Sequence, residues 1–232
     1  MYYNNNFVSK NKKDFKIKKM KIDNIKKITT RIKKLKIILD LNLHIELLDK
    51  KHEFTCKTLN FGKEEFNLFL NYDAYNNMTS GDGVTYVVTN ILNGKENIIA
   101  YFQLSAFALH FKDEFDFEDD KVPKKKKKTR YIPINSFLIN MFAVDKKYQD
   151  SVCNGMIVSD IIFKYIIAFI EEMSKTTIGG KIIILCSVKD AISFYKRNNF
   201  KPLNEYMTLF DKYIDGEKPM YLGLYDLPLL EH

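Results

Sequence analysis

The sequence predicts an α/β fold, of the α+β kind, built on one mixed β-sheet, and three observations carry that prediction. The 232 residues fit one ordinary domain with a short extension. In the second half of the chain, strand-like apolar runs alternate with helix-period segments, which calls for parallel strands joined by a right-handed crossover. In the first half, two β-branched runs flank Asn93-Gly94, the signature of an antiparallel hairpin. Hydrophobic content of 46%, with 14% aromatic, is enough to fill a core and excludes global disorder.

Residues 1–41 read as a basic, partly helical extension, 42–229 as the folded domain, and 230–232 as the remnant of a vector-derived tag. The net charge of +8 is uneven. Residues 1–50 hold 14 Lys and Arg against 5 Asp and Glu, which leaves 23 against 24 in the remainder. A basic arm favours polyanions; a lysine-rich solvated face is the plainer account of the same residues. Within the arm, Ile25, Ile28, Ile32, Leu35 and Leu39 form one stripe of an amphipathic helix, with Asp23 as its N-cap.

Residues 42–48 alternate as a first strand. Phe66, Phe69 and Leu70 mark a helix from about Gly62, with Glu64 and Glu65 in the first turn where the helix dipole favours them. The turn at residues 80–83 leads into a strand over 84–92, and the hairpin returns over 97–111. Residues 112–130 set an acidic block against a basic one, which predicts a mobile hairpin tip. A buried strand follows over 136–144, then a helix over 156–175 closed by Gly179-Gly180. A strand over 181–188, a helix over 189–198 and β-rich segments at 205–210 and 220–225 complete the chain.

Cys56, Cys153 and Cys186 are odd in number and far apart, and His44, His52, His110 and His232 lack ligand spacing. No disulfide framework or metal site is expected. The N-terminus lacks the apolar core of a secretory signal, and residues 157–170 are too short and too charged to span a bilayer. The expected location is the cytoplasm, with no membrane contact.

Two stretches carry chemistry. FAVDKKYQDSVCNGMIVSDII is a buried strand, a tight polar turn and a helix start, whose unpaired amides and dipole suit a phosphate. AISFYKRNNFKPL is a short helix leading through a turn into a strand. Taken in order they resemble the GNAT superfamily of N-acetyltransferases. Val144, Asp145, Tyr148 and Gln149 match its "VD..Y" segment, and Ala191, Phe194, Tyr195 and Phe200 match its "A..FY...GF" segment. The words FTC, LFLNYDA, GVTYVV and IAYFQLS resemble a subgroup that includes acetyltransferase toxins acting on aminoacyl-tRNA. The resemblance covers roughly residues 42–205. Against the family's Q/R-x-x-G-x-G/A loop, the two glycines fall on Val152 and Asn154, and the "GF" glycine falls on Asn199.

The resemblance implies a GNAT-like mixed sheet with helices on both faces and acetyl-CoA as co-substrate without a metal. It assigns cofactor binding to Phe142, Ala143, Val144, Gln149, Asp150, Ser151, Val152, Cys153, Asn154, Gly155 and Met156. Tyr195 takes the place of the acid that protonates the leaving thiolate, a phenol of ordinary pKa about 10 being protonated at neutral pH. Its plainer reading is a core aromatic. A backbone amide near Phe142 or Val144 steadies the developing oxyanion, and Gln103 and Ser105 line the acceptor side. No carboxylate stands out as a base, which favours an α-amine, ordinarily near 8, over a lysine near 10.4. Cys153 and Cys186 are assigned no nucleophilic role. Three readings stay open for the function: transfer to an aminoacyl-tRNA amine, transfer to a small-molecule or protein amine, or a GNAT-fold binding module without catalysis. The chain is expected to be a monomer or homodimer.

Overall fold

The computed structural model describes residues 36–37, 41–92, 94–117, 126–209 and 216–225. Most of the expected N-terminal helix, and residues 230–232, lie outside them. Within the arm, Lys36–Ile37 is a short strand, β1, where a helical turn is expected, because it pairs in parallel with Ser151–Val152.

The chain then lays down β2 (Leu43–Leu47), a 3-10 turn (Lys50–His52) and α1 (Glu53–Cys56). The next helical stretch joins α2 (Glu64–Leu68) to α3 (Ala74–Ser80) through a π-helical turn (Phe69–Asp73). Strands β3 (Val84–Leu92), β4 (Lys95–Phe117) and β5 (Lys126–Val144) make two consecutive hairpins. Next come α4 (Lys146–Gln149), β6 (Ser151–Cys153), β7 (Met156–Ile157) and the 19-residue α5 (Val158–Thr176). The chain continues with β8 (Ile182–Ser187), a 3-10 turn (Lys189–Ala191), α6 (Ile192–Arg197), β9 (Lys201–Pro202), β10 (Met207–Thr208) and β11 (Lys218–Gly223).

The main sheet runs β2-β3-β4-β5-β8-β11-β9, with β10 added to β4. Only β5 and β8 pair in parallel, and α5 is the crossover between them. Helices cover both faces. On one, α5 buries Val158, Ile162, Phe163, Ile166 and Ile170, a helical stripe, against Val88, Phe102, Phe137, Ile139 and Leu185. On the other, Phe69, Leu70 and Ala74 pack on Val87, Tyr101 and Ala143. Gly180 lies tight against the sheet: a Cβ there would lie 2.3 Å from the Phe137 ring.

The flanks of the expected hairpin tip are regular strand. β4 and β5 stay paired out to Phe117 opposite Lys126, with Asp113 facing Arg130 and Asp116 facing Lys127 in register. Arg130 donates from Nε to Asp113 Oδ2 at 2.7 Å, its Nη2 lies 2.6 Å from the same oxygen, and Lys112 pairs with Glu114 at 2.6 Å. The described parts of the two blocks are therefore facing sides of one ladder, with Asp113 and Arg130 as the opposite-charge pair across it, and residues 118–125 lie outside the described residues.

Candidate active site

β5 and β8 hold register from Ser136 opposite Ile182 to Ile139 opposite Leu185, and then part. The cause is local. Gln103 pairs with Met141 and Leu104 with Ile139, so Asn140 is an extra residue in β5. Such a bulge bends its strand and frees one edge. Asn140 is anchored by its amide, Nδ2 donating to Ser105 Oγ at 3.0 Å. Beyond it, β5 keeps β4 on one side only. The Asp145 N–H donates to Ile99 O, on the β4 side, at 2.8 Å. With a two-residue period, the amides of Val144 and Phe142 face the other way, into the opening.

At the mouth of this opening the chain makes a small hairpin. Asp145, buried, caps α4 by accepting the Lys147 N–H at 2.8 Å. Gln149 Nε2 donates to Val144 O at 2.8 Å and to Phe61 O at 3.0 Å, and Ser151 Oγ donates to Lys147 O at 2.8 Å. Gln149 and Ser151 thus pin the loop rather than reach out of it. Ser151 and Cys153 are buried, whereas Asp150, Asn154, Gly155 and Met156 are exposed. The left-handed positions are Asn154, with φ 49°, and Gly155, with φ 79°. Val152 lies in extended β6 opposite Ile157, where a β-branched residue is at ease. The ungapped match puts a family glycine at Val152, but the turn that needs left-handed backbone sits two residues on. A Cβ on Gly155 would meet nothing within 4 Å, so the turn faces open space. Helix α5 begins directly after it, and its N-cap Ile157 makes no side-chain hydrogen bond to the first-turn amides.

Tyr195 sits on α6, half-buried among Phe163, Phe194 and Phe200 at ring separations of 5.4, 5.2 and 5.9 Å. Phe142 joins the same nest, 4.9 Å from Phe163 and 6.0 Å from Phe194, which ties Tyr195 to β5 beyond the bulge. Burial first, and the charge of Glu217 second, push its phenol above the ordinary 10.0. Among the described residues its hydroxyl has no hydrogen-bond partner. The turn after it uses Asn199 at φ 68°, as expected where the family carries glycine.

The sequence matches no protein-family model and no curated protein. Solved structures do resemble the chain. A tyrosine-to-phenylalanine mutant of the AtaT toxin, bound to the C-terminus of the antitoxin AtaR and acetyl-CoA, is 17% identical. The TM-score is 0.52, over 78% of this chain and 93% of that one. AtaT complexed with acetyl-methionyl-tRNA is also 17% identical, with a TM-score of 0.52 over 78% and 95% of the two chains. A tyrosine-to-phenylalanine mutant of KacT is 14% identical, again at 0.52 over 78% and 95%. The chain has the GNAT fold.

Gln103 is 2% exposed, donates from Nε2 to Thr85 Oγ1 at 3.3 Å, and packs so tightly under Gly83 that a Cβ there would lie 2.9 Å from it. It is a buried sheet residue, where the resemblance expects it to line the acceptor side. Ser105 is half-buried and, with Gly83, Ala106, Phe107 and Ser136, lines an open cavity of ≈ 610 Å³.

The sequence gives no hint of Glu217. It precedes β11, whose Lys218 pairs with Ser187 at the end of β8 where the strands have parted. Half-buried, its carboxyl is held above the ordinary 4.5, by burial first and by the charge of Glu65 second. Glu65 comes from the first turn of α2, far away in sequence, so only the fold brings the two carboxylates within electrostatic reach of each other and Glu217 within reach of Tyr195. Cys56, buried, has its thiol pushed up to about 11 and is no nucleophile at neutral pH.

Proposed function

We propose that this chain is an acetyl-CoA-dependent N-acetyltransferase acting on a primary amine, with the α-amine of an aminoacyl-tRNA as the preferred acceptor. One observation carries the reading. β5 leaves β8 after Ile139, so the Phe142 and Val144 amides face an opening whose flank holds Tyr195.

The residues at the opening fit acetyl-CoA. The parted strands leave room for a pantetheine arm, and the exposed turn at Asn154 and Gly155, followed by the α5 N-terminus, offers backbone amides to a diphosphate. Acetyl-CoA supplies the acetyl group. The Phe142 and Val144 amides are placed to stabilise negative charge at the acyl oxygen. Tyr195, kept protonated by its burial, returns a proton to the departing thiolate. Glu217, beside the parted end of β8 and within electrostatic reach of Tyr195, offers the base that the sequence does not reveal.

The tRNA acceptor rests on the excess positive charge of residues 1–50 and on the GNAT-fold toxin AtaT having been solved with acetyl-methionyl-tRNA. An antitoxin partner has the same kind of support, from the AtaR complex. No helix among the described residues is long and apolar enough to cross a membrane. The test is to offer labelled acetyl-CoA with charged tRNA, deacylated tRNA, free amino acids and lysine peptides, and to follow label into each. Label confined to charged tRNA is expected; label on small amines alone would overturn the acceptor assignment.

One observation favours a second reading, a GNAT-fold module without catalysis. β6 is flanked by β7 on one side and β1 on the other, so the arm lies along the loop that would hold the diphosphate. Calorimetry separates the two readings: no heat with millimolar acetyl-CoA favours the module.

A further inference from the structure

Tyr195 stands on a helix of six residues, too short to hold its own position. Aromatic rings pack around its side chain, and the Asn198 and Phe200 amides donate to its carbonyl. A polar tie to α5 completes the hold on the helix. Asp160, in the first turn of α5, accepts Arg197 Nε on Oδ2 at 2.9 Å and Arg197 Nη2 on Oδ1 at 3.0 Å. Asn198 Nδ2 donates to the same Oδ1 at 3.0 Å and also to Phe194 O at 3.0 Å, closing the end of α6. The Asp160 side chain is 15% exposed and Asn198 is 2% exposed, while the Arg197 side chain is 48% exposed, so the lashing is sheltered on the carboxylate and amide side and open to solvent at the guanidinium. Its fork geometry fixes direction as well as distance. Arg197 also lies 5.6 Å from the Phe194 ring, the ring beside Tyr195.

We infer that Asp160 is a positioning residue for Tyr195: it lashes α6 to the first turn of α5, so that the helix offering amides to the cofactor phosphates and the helix carrying the acid move as one body. The inference rests on the acetyltransferase reading for Tyr195's role. A purely structural Asp160, complementing the α5 dipole, would change melting temperature without preference for Tyr195.

A double-mutant cycle decides between these. Asp160→Asn keeps the shape and loses the charge that holds the fork. Alone it should slow single-turnover acetyl transfer by about tenfold, with the acetyl-CoA dissociation constant changed by no more than about twofold. In a Tyr195→Phe background it should slow transfer no further, because the group it positions is gone. Full additivity overturns the proposal, as does wild-type transfer by Asp160→Asn. Arg197→Lys, which keeps the charge but not the fork, should fall between wild type and Asp160→Asn. A second readout needs no activity. In protein labelled with ¹³C-tyrosine, the Tyr195 signal, assigned by its loss in Tyr195→Phe, should shift or broaden in Asp160→Asn, and an unmoved signal overturns the lashing. Failure of the acetyltransferase reading shows separately, as wild-type protein that gives no heat with acetyl-CoA.

Discussion

Each face of the sheet holds a tyrosine whose phenol is pushed above its ordinary range, and the two differ in burial and in what the hydroxyl meets. On the face covered by α2 and α3, Tyr101 is fully buried and donates its hydroxyl to Phe66 O at 2.9 Å, with Phe61 and Phe69 against its ring. On the face covered by α5 and α6, Tyr195 has a comparable aromatic nest, but its hydroxyl has no partner among the described residues. Both shifts have burial as their first cause. A perturbed phenol therefore does not by itself nominate a catalytic group. A satisfied hydroxyl in a closed core is architecture; an unsatisfied one beside parted strands is available for chemistry.

The sharpest way to break this contrast is Phe163→Ala. Phe163 is fully buried and touches Phe142, Phe194 and Tyr195, so fold and site meet in it. The substitution should cost about 3–5 kcal/mol in denaturant unfolding and also slow acetyl transfer. Retained turnover would detach Tyr195 from its nest. Tyr195→Phe should lower turnover by about tenfold or more, with melting temperature and acetyl-CoA affinity nearly unchanged. Tyr101→Phe should do the reverse, costing about 1 kcal/mol of stability through the lost bond to Phe66 with turnover intact. Equal effects of the two substitutions on turnover would erase the distinction.

Smaller effects follow from pH. The Tyr195 phenol stays protonated beyond 10.0, so transfer should rise as an amine near 8 deprotonates and should not fall on the alkaline side until above 10. A decline beginning near 8 would assign the acid elsewhere. Glu217 has a carboxyl raised in the fold, so it costs the folded state as pH climbs past 4.5 and costs nothing below that. Glu217→Gln should therefore raise the melting temperature slightly at pH 7, leave it unchanged near pH 4, and reduce transfer. A lower melting temperature at pH 7 would contradict the direction of its shift.

Much of the frame was legible because it rests on local chemistry. The Asn93-Gly94 hairpin, the apolar run of β5, the stripe of α5 and the left-handed Asn199 each follow from neighbouring residues. The site was legible only in part. Resemblance points to Tyr195 and to the strand end at Phe142 to Val144, but it does not foresee that Gln103 is buried against Thr85 or that the left-handed turn falls at Asn154 and Gly155, past Val152. The charge blocks predict a mobile tip over residues 112–130, of which 112–117 and 126–130 are paired strand. Those errors share a cause, since each residue's role depends on a partner distant in sequence: Gln103 on Thr85 and Gly83, Val152 on Ile157 and β1, Asp113 on Arg130.

The sequence by itself determined the main strands and helices, their order and the crossover through α5, because periodicity and turn chemistry act over a few residues. Only the tertiary structure decided where β5 leaves β8, that Asn140 is the residue in excess, that Asp160 holds Arg197, and that Glu65 reaches toward Glu217. Those are pairings between strands and helices far apart along the chain, and a contact of that kind is fixed by the packing of the whole sheet, not by the composition of either partner.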